Sequence, residues 1–279
     1  MTMSIDQTYQ TYYDAEVKRA YGDKGLLRNT VRLKTNVTGD KVDFRKKGKG
    51  LASLHVPNSD RTIMNATFAK VTATMSDWDA YDFVDKFDVK KINYDAVSEL
   101  AEVAGDALGL RIDQIVIDAI NSGYDSVNMT FGTTNVALTV ATLISAVTAL
   151  KKNGVPSENL TFIHTAGQLG DLLNTTQVTS ADYNSVRALV NGTVNKFLGM
   201  DFICIADRDE GGIPVDGAGT GVTGFIYHKD AVGLGLGMDI ETEMSYLPEK
   251  GGWLVGGSFS AGAVVIDNKG IAGVLSKKY

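Results

Sequence analysis

One cysteine, three histidines and no long apolar run set the first limits on this 279-residue chain. With only Cys204 no disulfide framework can form, and its place in the apolar run Phe202–Ile205 predicts a buried small hydrophobe rather than a nucleophile. His55, His164 and His228 stand far apart in sequence, without metal-ligand spacing around any of them. No stretch approaches the roughly 18 apolar residues of a membrane helix. The opening MTMSIDQTYQ lacks a basic region followed by an apolar one, so no secretory leader or membrane is expected and the chain reads as cytoplasmic. Asn-x-Ser/Thr triplets such as Asn65-Ala66-Thr67 and Asn191-Gly192-Thr193 then read as chance in a chain rich in Asn and Thr.

The motifs of small-molecule chemistry are nearly as scarce. Gly219-Thr-Gly221-Val-Thr-Gly224 has dinucleotide spacing, but that motif works only between a strand and a helix N-terminus, and here a loop precedes and a strand is predicted to follow. Gly233-Leu-Gly-Leu-Gly237 lacks the Lys and hydroxyl residues of a phosphate loop. Asp77-x-Asp79 starts like an EF-hand loop, yet Tyr81 replaces the third oxygen ligand and Asp82 the turn glycine. Basic Arg45–Lys49 has no interleaved aromatics for stacking on bases. No cofactor and no metal are expected.

What is present is an amphipathic stretch from Asp95 to Asn121. Val97, Leu100, Ala101, Ala104, Leu108, Ile112, Ile115 and Ala119 recur at three- and four-residue steps, with Glu102, Asp106, Asp113 and Asn121 away from the stripe. At about 1.5 Å per residue this helix is about 40 Å long. Asn93 or Asp95 can cap its start, and Gly123 can take the left-handed conformation just past its end. Gly105 and Gly109 within it predict a close approach of another backbone.

Around this helix the chain reads in order as follows. A short helix over 6–21 puts Tyr12, Tyr13, Val17 and Tyr21 on one face, too short to stand alone. An extended arm over 26–38 carries Leu27, Val31, Leu33 and Val37 with no second apolar layer of its own. Lys41–Arg45 and Thr67–Met75 read as strands of a long hairpin with a basic connection, and Tyr81–Val89 as a half-buried strand leading into the helix. Helices at Val136–Lys152, Ala166–Leu173 and Ala181–Val190 alternate with a strand at Leu160–His164 and with Gly192–Ile205, a glycine-opened hairpin or bent strand whose second half is apolar, an α/β pattern. After the Gly- and Asp-rich loop 207–224 come strands at Phe225–Asp230, Ala231–Met238, Ile240–Leu247, Trp253–Ile266 and Ile271–Leu275, the last group placed to pair with Tyr81–Val89. Charge is divided too: residues 1–50 hold 11 Lys and Arg against 6 Asp and Glu, a net of +5, and the remainder holds 16 against 27, a net of −11. A basic arm on an acidic body suits self-association as well as nucleic acid.

This order of parts resembles the major capsid protein of tailed bacteriophages, the Hong Kong 97-type fold, over essentially the whole chain. The resemblance is carried by Tyr12–Lys18 with Leu27–Val37, by Gly39–Phe44 and Val71–Thr74, and by Trp78–Lys90 leading into Ala107-Leu108-Gly109-Leu110-Arg111-Ile112-Asp113. Its most specific piece is Asp182-Tyr183-x-x-Val186-x-x-Leu189-Val190-x-Gly192-x-Val194-x-x-Phe197-Leu198-Gly199-Met200, in which Met200 stands where many relatives have an aromatic residue. It implies an α+β fold with an N-terminal arm (1–38), an extended β-hairpin loop (39–75), a peripheral domain with a long spine helix (76–135 and 239–279) and an α/β axial domain (136–238). It also implies a non-enzymatic subunit that self-assembles into hexamers and pentamers of an icosahedral head shell around double-stranded DNA, within the host cytoplasm. Scaffolding and portal proteins, and in some relatives a decoration protein, are the implied partners; DNA is met non-specifically. The residues expected to meet neighbouring subunits are Tyr12, Tyr13, Val17, Leu27, Val31 and Leu33 of the arm, Arg45, Lys46, Lys47 and Lys49 of the loop, and Asp207, Arg208, Asp209 and Glu210 near capsomer centres. The rival classes are an enzyme with a Gly-rich ligand loop at 207–224 and a nucleic-acid-binding module, which would need a perturbed acid–base pair and a basic folded body respectively.

Overall fold

The computed structural model describes residues 25–48, 50–61, 63–64, 66–91, 96–174, 196–206, 208, 210–216 and 219–279. The predicted helices over 6–21 and 181–190 and the cap at Asn93 or Asp95 lie outside them.

The strands are β1 (Arg32–Lys34), β2 (Lys41–Lys47), β3 (Phe68–Thr74), β4 (Ser76–Asp85), β5 (Thr130–Gly132), β6 (Leu160–His164), β7 (Lys196–Phe197), β8 (Met200–Cys204), β9 (Gly221–His228), β10 (Val232–Leu247), β11 (Gly252–Val265) and β12 (Ile271–Lys277). The helices are α1 (Lys86–Lys91), α2 (Ala96–Gly123), α3 (Val140–Lys152) and α4 (Ala166–Leu173). They form a four-stranded sheet in the order β1-β10-β11-β4, a six-stranded sheet in the order β5-β12-β9-β6-β8-β7, and the two-stranded hairpin β2-β3.

The four-stranded sheet is built on the long antiparallel hairpin β10–β11, which turns through Pro248–Gly251, where Gly251 takes positive φ. β4 adds to its far edge, with Trp78 opposite Phe259 and Asp85 opposite Gly252. The strand thus begins and ends earlier than the expected Tyr81–Val89. Past the end of the β11 ladder the Asp85 carboxylate accepts the Phe87 N–H, and the chain turns into α1. Helix α2 lies on this sheet, burying Leu108 and Ile112 of the stripe with Leu234, Leu236, Phe259 and Ala261; Ala104 of the stripe is buried as well. The buried arc is wider than the stripe: Val116, Ile117, Ile120 and Asp113 are buried as well. The reason is further cover, because the arm root packs Leu27 and Val31, and the six-stranded sheet Phe225, Tyr227 and Ile271, into the same core. Gly109 has the close approach its position predicts, since a Cβ on Gly25 would stand 2.5 Å from the Gly109 carbonyl oxygen; Gly105 has no neighbour of this kind.

In the six-stranded sheet α3 and α4 are capped as their sequences require. The Thr139 side chain accepts from the Thr142 amide, and Thr165 and Gln168 form a reciprocal capping box. Leu143, Leu150 and Leu172 bury against Leu160, Phe162, Ile226 and Val274. β7 and β8 join through Leu198 and Gly199, both at positive φ, the twist a two-residue hairpin needs. Strand membership departs from the expected segment boundaries. β12 pairs with β9 and β5 rather than with β4, β10 continues through residue 238 with a shift of register on either side of Met238, and β1 of the arm pairs parallel to β10.

The Gly233–Gly237 motif finds its explanation here. In β10 Leu234 and Leu236 point into the core, while on the opposite face Gly233 and Gly235 lie under the hairpin, where a Cβ would come within 2.8 Å of the Phe44 ring and 2.5 Å of a Val42 methyl. The alternate glycines let the β2–β3 base lie flat on the sheet and form a small core of Val42, Phe44, Ala73 and Ile266. Two outcomes follow. Leu108→Ala leaves a cavity in the principal core and should cost about 2–5 kcal/mol, lowering the unfolding midpoint of the unassembled protein before any effect on association. Gly235→Val should instead lift the hairpin base, at about 1–3 kcal/mol, so limited proteolysis would cut first within 41–74 while the six-stranded sheet stays protected.

Candidate functional site

Described residues gather chemistry at three places: the hairpin tip, the flank of α2, and the acidic edge of the four-stranded sheet.

The hairpin base is held by its own chain, and the tip is not. Lys46 pairs with Asp267 at 2.9 Å, and Lys70 with Asp43 at 2.7 Å; with Thr72 donating as well, the Asp43 carboxyl is held below its ordinary value. Beyond Lys47 the connection presents Leu51, Leu54, Val56, Ile63 and Met64, and with Phe68 at the start of β3 these apolar side chains stand in solvent, Leu51 and Leu54 at 87% and 91% exposure. Isolated exposed leucines are ordinary; a run of apolar side chains on the connection between two strands is a candidate contact surface. Of the basic residues expected to face a neighbour, Arg45 and Lys47 are exposed, Lys46 is engaged within the chain, and Lys49 lies outside the described residues.

The arm expectation needs correction. Leu27 and Val31 are fully buried in the chain's own core, because the arm root is clamped to α2 and β10; only Leu33 remains partly open, at 37% exposure. The clamp is Asp113, assigned by the periodicity to the exposed side of the helix. Its carboxylate has no solvent exposure and accepts the Leu26 amide at 2.9 Å, the Leu27 amide at 2.9 Å and the Arg208 guanidinium at 2.9 Å. Burial pushes its pKa up, against the pull of those donors. Alongside it the Thr30 hydroxyl bonds Tyr227, whose phenol burial also drives upward, and Arg28 pairs with Asp239. Tyr12, Tyr13 and Val17 lie outside the described residues.

Arg208 and Glu210 are likewise spoken for. Besides the Arg208–Asp113 pair, Glu210 meets Arg111 at 3.3 Å, Arg111 stacks 3.5 Å above the Trp78 ring, and the Gly211 amide donates to Gln114 at 2.7 Å. This segment is bound to α2; Asp207 and Asp209 lie outside the described residues.

The acidic edge is β4. Asp77 and Asp79, with Asp40, Trp78, Met75, Met238 and Phe259, line an open cleft of about 670 Å³ at the foot of the hairpin. The aspartates stand on a regular ladder with β11 rather than in a loop.

The other candidates resolve into structure. At 219–224 the chain makes a turn into β9, and the Asp216 carboxylate takes up the Thr220 amide, which leaves no helix N-terminus to receive a pyrophosphate. His55 is on the hairpin tip, while His164 and His228 sit at opposite ends of the paired strands β6 and β9. Cys204 is exposed at the end of β8, not buried as expected. His164 is buried, and its Nδ1 lies 3.0 Å from the Thr165 carbonyl oxygen, a contact that needs a proton on that nitrogen. Desolvation holds its pKa below the ordinary 6.5, so the folded ring stays neutral where the unfolded chain takes up a proton. Stability should therefore fall as pH drops below 6.5, by at most about 1.4 kcal/mol per unit from this group. Thermal melts of His164→Phe should show a flatter profile between pH 6.5 and 5 than the parent.

A search of curated proteins finds no match. Solved structures match over nearly the whole chain. The capsid of cyanophage P-SCSP1u is 18% identical, with a TM-score of 0.71 over 93% of this chain and 90% of that one. The head of Helicobacter pylori bacteriophage KHP40 is 12% identical, with a TM-score of 0.73 over 88% of each chain. Mycobacterium phage Che8 is 14% identical, with a TM-score of 0.64 over 92% of this chain and 90% of that one. These likenesses establish the Hong Kong 97-type α+β fold. A family model described as phage capsid protein matches residues 5–277. The chain therefore belongs to the phage capsid protein family, as a major capsid protein that forms the head shell.

Proposed function

We propose that this chain builds its shell through the hairpin tip, which seats on the acidic cleft of a neighbouring copy. The observation that carries the reading is the tip itself: Leu51, Leu54, Val56, Ile63, Met64 and Phe68 are exposed on a projection without a core. Basic Arg45, Lys47 and Arg61 frame those apolar side chains, and the cleft lined by Asp40, Asp77 and Asp79 offers the opposite charge beside Trp78 and Phe259. Apolar contact supplies the affinity and the charges set the register.

On this reading the four-stranded sheet with α2 is the peripheral domain, the six-stranded sheet with α3 and α4 the axial domain, and β2–β3 the extended loop. Copies close into hexamers and pentamers of an icosahedral shell around double-stranded DNA, which is met without sequence preference. Scaffolding and portal proteins, and a decoration protein where one is used, complete the partners, and assembly takes place in the host cytoplasm.

The test separates folding from association. Replacing Leu51, Leu54 and Ile63 together by Ser removes apolar surface that the single chain does not bury, so the unassembled protein should keep its melting temperature while electron microscopy shows no closed shells. Normal shells from this variant would refute the role of the tip. A melting temperature lowered in step with assembly would place the tip in the chain's own core.

A further inference from the structure

We infer that Asp113 is a coupling node, through which the root of the N-terminal arm and the segment carrying Arg208 and Gly211 loosen or tighten together. The two meet at one carboxylate although 87 and 95 residues separate Leu26 and Arg208 from it in sequence. From one side it takes the Leu26 and Leu27 amides, and from the other a guanidinium whose side chain is itself only 10% exposed. Neither set suffices alone. Without Arg208 the buried charge has no cation, and two amides do not replace its lost hydration; without the amides the arginine is bound to a carboxylate half of whose acceptor sites have lost their partners. Displacing either segment admits water to the site, and water competes with the bonds of the other.

The surroundings reinforce this two-sided arrangement. The arm root meets α2 one turn earlier, where Gly25 lies against the Gly109 carbonyl. The Arg208 segment meets it at Gln114 and Arg111, the residues on either side of Ile112 and Asp113. One and a half turns of helix thus carry both attachments, with Asp113 common to them. Because coupling between two sites is reciprocal, a partner that pulls on residues preceding Gly25 would loosen the Arg208 segment, and one that binds that segment would change the hold on the arm. The inference holds however the shell is put together.

Hydrogen exchange by mass spectrometry on the full-length, unassembled protein tests it. Arg208→Met should speed exchange of the Leu26 and Leu27 amides roughly tenfold, within the usual range of such couplings, and Arg208→Lys, which keeps the cation, should restore part of the protection. In the reverse direction Gly25→Ala, whose Cβ is blocked by the Gly109 carbonyl, should speed exchange at Gly211. Leu150→Ala in the other core serves as a general destabiliser and should leave both sites near parental rates. Two results would overturn the inference: Arg208→Met accelerating only its own segment, or accelerating the arm root no more than Leu150→Ala does. Should Gly25→Ala fail to fold, the Arg208 pair still decides the question.

Discussion

A carboxylate with no access to water must find its hydration within the protein, and Asp113 is such a group at the middle of the long helix. Removing one partner of a buried ion pair costs about 3–5 kcal/mol, a large part of a domain's net stability of about 5–15 kcal/mol. The pair is therefore weak evidence for extra stability and strong evidence for a fixed arrangement. With Asp113 in place Leu26 and Leu27 can lie only where their amides reach it, which seats Leu27 and Val31 in the core and delivers β1 to the edge of β10. The same carboxylate places Arg208, and with it the approach of Glu210 to Arg111 over Trp78. The four-stranded sheet, the arm and the segment leading toward β9 share this one anchor.

The remainder of the chain divides into parts that complete themselves and parts that do not. One face of the six-stranded sheet, with its helices, buries Leu143, Leu150, Leu160 and Phe162 without help from elsewhere, while the other face shares the core of α2 through Phe225, Tyr227 and Ile271. The hairpin is divided within itself. Its base is accommodated by glycines that leave room for Val42 and Phe44, while its tip holds out leucines, an isoleucine and a methionine with no partner layer among the described residues. A body with buried cores and a tip whose apolar side chains stay exposed suits a shell subunit, which must fold before it meets its neighbours.

Much of this was legible from residue order. The stripe of the long helix, the α/β alternation, the β6 boundaries and the capped helix Ala166–Leu173 follow from spacing and end signals acting within a few residues. The misses share a cause, which is that a partner distant in sequence decides them. Asp113 read as solvent-facing because its type and angular position say so, and its burial depends on residues 26, 27 and 208. Leu27 and Val31 read as an uncovered arm because nothing nearby supplies a second layer; α2 and β10 supply it. The Gly233–Gly237 run had no visible purpose until Val42 and Phe44 were found above it. Cys204 read as buried because its neighbours are apolar, but it is the adjacent Ile205 that enters the core while Cys204 is left exposed at the strand end.

An association surface at the hairpin tip, as proposed above, also has an energetic logic. Burying one exposed leucine or isoleucine contributes about 1.5–3 kcal/mol, whereas bringing two molecules together costs about 4–15 kcal/mol in lost freedom before any contact is counted. A few tip side chains seated on one neighbour come close to balancing that cost, so a single such contact is weak and reversible. A subunit inside a ring touches several neighbours for one loss of freedom, and the later contacts add without repeating it. Weak pairs with strong rings let a misplaced subunit leave early and a correctly placed one stay. The net charge of −6 acts in the same direction, since like charge opposes chance aggregation of free subunits.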